Sequence, residues 1–285
     1  RNAGTCPIRH RNCPTKDGLV FTSHAMTGDP AVSIAPFQRR NTAARLARIL
    51  RPELAGRNRR LSLLAELFLI AHDDDTGHPH IAESTLARGL AVAVLFDLCL
   101  VGRIYIGWRF NARTGRYDSE PGSIMVASTE PTGDTFADAA LTELWYTGGP
   151  LRVDEFIHRF AASGLYERVR ADMIAAGILT RVTRRRNWFF HREFYRATHT
   201  AHPVRARFRL RQLASVTTPE PDLKTVALAG LVTALKLTAR LYPPEANTTR
   251  LHRHLAGIVA HHPDPTIRDT VSGLARRRAT LARAA

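Results

Sequence analysis

The segment "STLARGLAVAVLFDLCLVG", residues 84–102, is apolar on nearly every face of a helix. A helix of that kind belongs at the centre of a domain, wrapped by other elements. Ser84 is its expected N-cap and Gly102 its expected left-handed C-terminal cap. Leu90, Val94, Leu95, Leu98 and Cys99 are then core residues.

The flanking patterns supply the wrapping. "LSLLAELFLIAH" repeats apolar residues at helical spacing from Leu61, and "DDDTG" ends it. "RIYIGWRF" and "SIMVAST" read as an antiparallel pair joined by the turn-rich "NARTGRYDSEPG". In "PTGD", Asp134 is placed to cap the helix "TFADAALTELWY". Helical periodicity continues through "LRVDEFIHRFAA" and "GLYERVRADMIAAG", the latter closed by Gly177. Three or four further helices follow "HP", among them "TVALAGLVTALKLTARLY" as one continuous piece.

The expected fold is therefore mostly α, a single globular domain of helices around the central apolar helix, with small β-hairpins, spanning 61–285. Residues 1–60 lack periodicity and mix Pro, Gly, Asn and Thr, which predicts a disordered, basic N-terminal tail. Within it "NTAARLARILRPELAGRNRR" has the pattern of a short helix with Leu46, Ile49 and Leu50 on one side.

Charge points to a partner. The net charge is +16 over 285 residues, which favours a polyanion, either nucleic acid or acidic lipid. Lys16, Lys224 and Lys236 are the only lysines. The basic charge is thus almost all arginine, and the alanine-rich composition of a GC-rich genome accounts for part of it. No apolar run reaches the roughly 20 residues of a spanning helix, and a soluble protein of the reducing cytoplasm is expected.

Candidate chemistry is sparse. Cys6 and Cys13 with His10 between them resemble half a zinc site, but no second ligand pair follows. His72, Asp73, Asp74, Asp75, His78 and His80 read more simply as a turn between helices than as a metal cluster. No nucleophile elbow, phosphate loop, dinucleotide turn or HExxH motif occurs. Neither a catalytic residue, a metal nor a cofactor is expected.

One stretch does suggest function. "TRVTRRRNWFFHREFYR", residues 180–196, surrounds large aromatics with arginines. It has the pattern of a hairpin whose strands "ILTRV" and "WFFHREFY" are joined by "TRRRN". Three readings are open. As a winged-helix element, the helix 164–176 would present Arg168 and Arg170 to DNA, with hairpin 178–196 as the wing. As a membrane probe, Arg184, Arg185, Arg186 and Arg192 would meet anionic headgroups while Trp188, Phe189 and Phe190 enter the interface. Each arginine near an acidic leaflet contributes about 1 kcal/mol and each buried large apolar side chain about 1.5–3 kcal/mol. As a scaffold element, the hairpin would pair with another copy of itself.

The ordered set "LSLLAELFLIAHDDDTG", "LFDLCLVGRI", "PTGD" before a helix, "YERVRADMIAAGILT" with its hairpin, and "HP" resembles the Golgi phosphoprotein 3 family, in a bacterial, actinobacterial-like form. The resemblance implies a mostly helical fold and a peripheral protein at the cytoplasmic face of a membrane. Eukaryotic members bind phosphatidylinositol 4-phosphate, insert a hydrophobic hairpin into the bilayer and recognise cytoplasmic tails of glycosyltransferases. The family's headgroup-binding positions fall on Ala82, Ala91, Ser163 and Tyr166 here, with Arg88, Arg159 and Arg170 close by in sequence. Those four positions lack the family's phosphate-holding side chains, and the expected headgroup pocket is Ser163 and Tyr166 with the nearby Arg88, Arg159 and Arg170 substituting in part. The hairpin supplies the membrane contact, and nucleic acid becomes the lesser alternative.

Overall fold

The computed structural model describes residues 61–111, 113, 116–147, 151–187, 190–215, 221–242 and 247–284. The expected tail over 1–60, with Cys6, His10 and Cys13, lies outside them.

The first helix, α1 (Leu63–Ile70), is buried along its whole length. Ser62 caps it by accepting from the Ala65 amide. Two further free amides at this end, those of Leu63 and Leu64, donate to the Asp97 carboxylate at 2.9 and 3.2 Å. The N-terminal end of a helix favours such a negative partner.

Asp97 lies on α2 (Glu83–Leu100), the central helix. Leu90, Leu95 and Leu98 on α2 are fully buried and Val94 nearly so; Cys99 is only partly buried against the core. The expected cap is displaced. Ala82 is the N-cap and makes no side-chain hydrogen bond, while Ser84 lies inside the first turn.

Strands β1 (Ile104–Asn111) and β2 (Arg116–Val126) pair antiparallel, from Ile104 opposite Val126 to Asn111 opposite Arg116. The pairing runs through "RYDSE", which the sequence suggested was turn. The register instead shifts between Ile106 and Trp108, so that β2 bulges around Pro121 and Gly122. Proline lacks an amide for the ladder and Gly122 sits at φ 79°. A two-residue strand, β3 (Leu151–Arg152), adds to the far edge of β2.

Helices α3 (Thr135–Tyr146), α4 (Val153–Ala162) and α5 (Leu165–Ala175) pack on α2. Asp134 caps α3 as expected, accepting from the Phe136 and Ala137 amides at 2.9 Å each. The second hairpin, β4 (Leu179–Asn187) and β5 (Phe190–Ala197), leads into α6 (Ala201–Ser215). The domain closes with α7 (Leu223–Ala234), the single turn α8 (Thr238–Leu241), α9 (Thr248–Ala260) and α10 (Pro265–Ala284).

The piece expected as one helix from Thr225 to Tyr242 is broken between α7 and α8. Lys236 adopts φ 56° there, and Leu235 and Leu237 on either side of it are fully buried. The fold is mostly α with small antiparallel strand pairs, and among the described residues no helix is long and apolar enough to cross a membrane.

Candidate functional site

The arginine-rich hairpin is built on an anchored base. Backbone register places Leu179 opposite Ala197, Arg181 opposite Tyr195, Arg184 opposite Arg192 and Asn187 opposite Phe190. The residues of "TRRRN", expected as the turn, instead continue β4 to Asn187. The expected turn was rich in arginine and asparagine, yet the ladder carries it as strand. Trp188 and Phe189 lie outside the described residues.

Turn 73–78 grips the base of the hairpin. Asp73 Oδ1 accepts from the Thr76 amide, the Thr76 hydroxyl and the Asp75 amide at 2.7, 2.8 and 3.1 Å. These bonds, Thr76's above all, hold the Asp73 carboxyl below its ordinary range. Gly77 adopts φ 66°, and a Cβ there would stand 2.5 Å from the Tyr195 carbonyl oxygen. Arg196 Nε donates to the Asp74 carbonyl at 3.0 Å, and its guanidinium lies 3.9 Å from Asp75. His78 and Phe194 meet edge to face with ring centres 5.0 Å apart. Asp74 also accepts both terminal nitrogens of Arg207 on α6, at 2.5 and 2.9 Å. Two of the three aspartates expected in a turn therefore fasten neighbouring elements. Among the described residues no group of three His, Cys, Asp or Glu side chains is placed to hold a metal ion.

Behind the turn the buried rings of Phe68, His72 and Tyr166 stack. The Phe68 carbonyl can only accept, so His72 Nδ1 carries the proton it donates at 2.7 Å. Nε2 then accepts from the Tyr166 hydroxyl at 2.9 Å. Burial lowers the His72 pKa to about 4 and raises that of Tyr166 to about 12. The Arg170 guanidinium lies 5.5 Å from the Tyr166 ring centre and 4.9 Å from that of Tyr195. It thereby bridges the core stack to β5.

The five residues expected at a headgroup take different situations. Tyr166 is buried in the stack and Arg170 is held between two rings. Ser163 donates to the Phe160 carbonyl at 2.7 Å and accepts from Arg168 at 3.0 Å. Arg159 lies 3.5 Å from Glu143 and 3.9 Å from Glu155. Arg88 is half-buried on α2. Ala91 is fully buried and Ala82 is exposed at the start of α2. The residues that sequence reasoning passed over are His72 as the partner of Tyr166, and Gly77. Glycine in "DDDTGHPH" was the available signal for a close backbone approach.

The model of the Golgi phosphoprotein 3 (GPP34) family matches residues 63–274, which span α1 through the first half of α10. That is well over half of the chain, and the protein belongs to the Golgi phosphoprotein 3 family.

Proposed function

We propose that this protein is a non-enzymatic peripheral protein of the cytoplasmic face of a membrane, attached to acidic phospholipid through the β4–β5 hairpin. Arg184, Arg185, Arg186 and Arg192 meet headgroups, and Trp188, Phe189 and Phe190 enter the interface. The observation that carries the reading is the register, which seats Arg184 directly opposite Arg192 and Arg185 opposite His191. Like charges at facing positions oppose each other across a ladder. An anionic surface removes that penalty, and the neighbouring aromatics in the sequence add apolar insertion.

The winged-helix alternative needs Arg168 and Arg170 free to reach base edges. Arg168 donates to Ser163 and lies 5.6 Å from the Phe160 ring centre, while Arg170 is engaged by Tyr166 and Tyr195. Arg170 is committed to the Tyr166 and Tyr195 rings and only Arg168 stays exposed, so this helix offers one arginine rather than two to a groove, which favours the lipid reading.

Vesicle co-sedimentation tests it. Binding should be strong to vesicles containing phosphatidylserine, weak to pure phosphatidylcholine, and should fall steeply with salt. Equal binding to both vesicles removes the electrostatic half of the proposal. If W188A/F189A leaves polyanion binding intact while arginine substitutions at 184–186 abolish it, nucleic acid is the better target.

A further inference from the structure

Helix α6 carries four arginines and no acidic residue in "AHPVRARFRLRQLAS". The fold sorts them into two pairs. Arg207 and Arg209 turn inward, Arg207 onto Asp74 and Arg209 onto the buried Glu66 of α1. Arg205 and Arg211 are exposed and have no acidic partner among the described residues.

Pro203, Ala206, Leu210 and Leu213 seat the opposite side of the helix in the core. At 3.6 residues per turn, Val204, Phe208, Arg211 and Ser215 share one outward stripe, with Arg205 and Gln212 beside it. Val204 is 54% exposed and Phe208 64% exposed. No packing among the described residues accounts for a phenylalanine that open to water. An apolar stripe edged by unpaired arginines is the pattern of a helix lying in the plane of an anionic interface.

α6 also begins directly after the hairpin, and its Arg207 shares Asp74 with the hairpin residue Arg196. The two basic elements are thus fixed to one turn. We propose that the exposed face of α6 is a second lipid-contact surface, in which Val204 and Phe208 enter the acyl boundary and Arg205 and Arg211 meet anionic headgroups. The inference takes its partner, an acidic bilayer, from the lipid reading above, but it does not depend on the hairpin being the contact.

The experiment is co-sedimentation of the full chain with phosphatidylcholine vesicles containing about a third phosphatidylserine. V204S/F208S should weaken partition about tenfold or more, as expected for removal of two inserting side chains, and R205A/R211A should flatten its salt dependence. Neither pair should lower the melting temperature, since all four positions are exposed. Partition equal to that of the native chain in both variants overturns the inference. If W188A/F189A alone abolishes partition, the hairpin reading stands and this one fails. If only the α6 variants lose it, the reverse holds. Altered self-association of V204S/F208S by light scattering, with vesicle binding unchanged, would make a second copy the occupant and also overturn the inference.

Discussion

The Tyr166 hydroxyl donates to His72 Nε2 at 2.9 Å across 94 positions of sequence, within a buried stack completed by Phe68. Removing that hydroxyl leaves a buried ring nitrogen without its donor, which typically destabilises by about 1–3 kcal/mol. Tyr166→Phe should therefore lower the melting temperature while leaving vesicle partition unchanged. A loss of lipid binding at unchanged stability would instead support the headgroup role expected of Tyr166.

Asp97 and His72 should pull the pH dependence of stability in opposite directions. Burial, outweighing the bonds from Leu63 and Leu64, raises the Asp97 carboxyl from 3.8 to about 6. The folded state then binds this proton more readily than the unfolded chain. Its contribution is full below about pH 4 and is lost as pH rises toward 6. Burial lowers His72 from 6.5 to about 4. Its contribution is full above about pH 6.5 and is lost as pH falls toward 4. Each tenfold change in proton affinity between the folded and unfolded states is worth about 1.4 kcal/mol, so the two slopes largely offset each other between roughly pH 4 and 6. Urea unfolding across that range should show stability rising more steeply with pH in Asp97→Asn than in the native chain, and less steeply in His72→Gln. Identical slopes in all three proteins would refute the assignment.

Gly77 sets how closely turn 73–78 approaches the hairpin. Alanine there meets backbone at 2.5 Å and must hold a left-handed φ, a strain of about 1–3 kcal/mol before any displacement. Gly77→Ala should speed amide hydrogen exchange in β5 around Tyr195 far more than in α2. Uniform exchange rates would show that the turn does not pin the hairpin.

Local chemistry made parts of this architecture legible in advance. Gly102 and Gly177 end α2 and α5 at φ 68° and 71°, because a left-handed residue after a helix selects glycine. Asp134 announced α3 in the same way. Other features carry no such mark. The break at Lys236 falls where the sequence offers no glycine, and tertiary packing of Leu235 and Leu237 decides it. Ser84 had the right chemistry for a cap, yet the cap position falls earlier in the chain, at Ala82. The register of β4 and β5 overrode a polar run that looked like a turn. Long-range pairs such as Asp97 with Leu63, or Arg207 with Asp74, depend on how elements pack and leave no periodic trace. The exposed face of α6 is of the same kind, since the alternation "VRARFRLR" does not reveal which arginines turn inward.

Leu95 and Arg185 separate the core from the membrane probe. Leu95 is fully buried on the central helix, and removing a buried leucine typically costs about 2–5 kcal/mol through lost transfer energy and the cavity left behind. A domain of this size is stable by only about 5–15 kcal/mol in total, so Leu95→Ala should lower the melting temperature markedly. Arg185 lies near the far end of β4, opposite His191, away from the base that turn 73–78 holds. Arg185→Ala should hardly change the melting temperature, yet it should weaken partition onto anionic vesicles, because one headgroup contact near an acidic leaflet is worth about 1 kcal/mol. Thermal melts of the two variants beside the native chain, followed by co-sedimentation of Arg185→Ala, check both halves. If the two substitutions destabilise equally, the far end of the hairpin belongs to the core, and it is not available to a membrane.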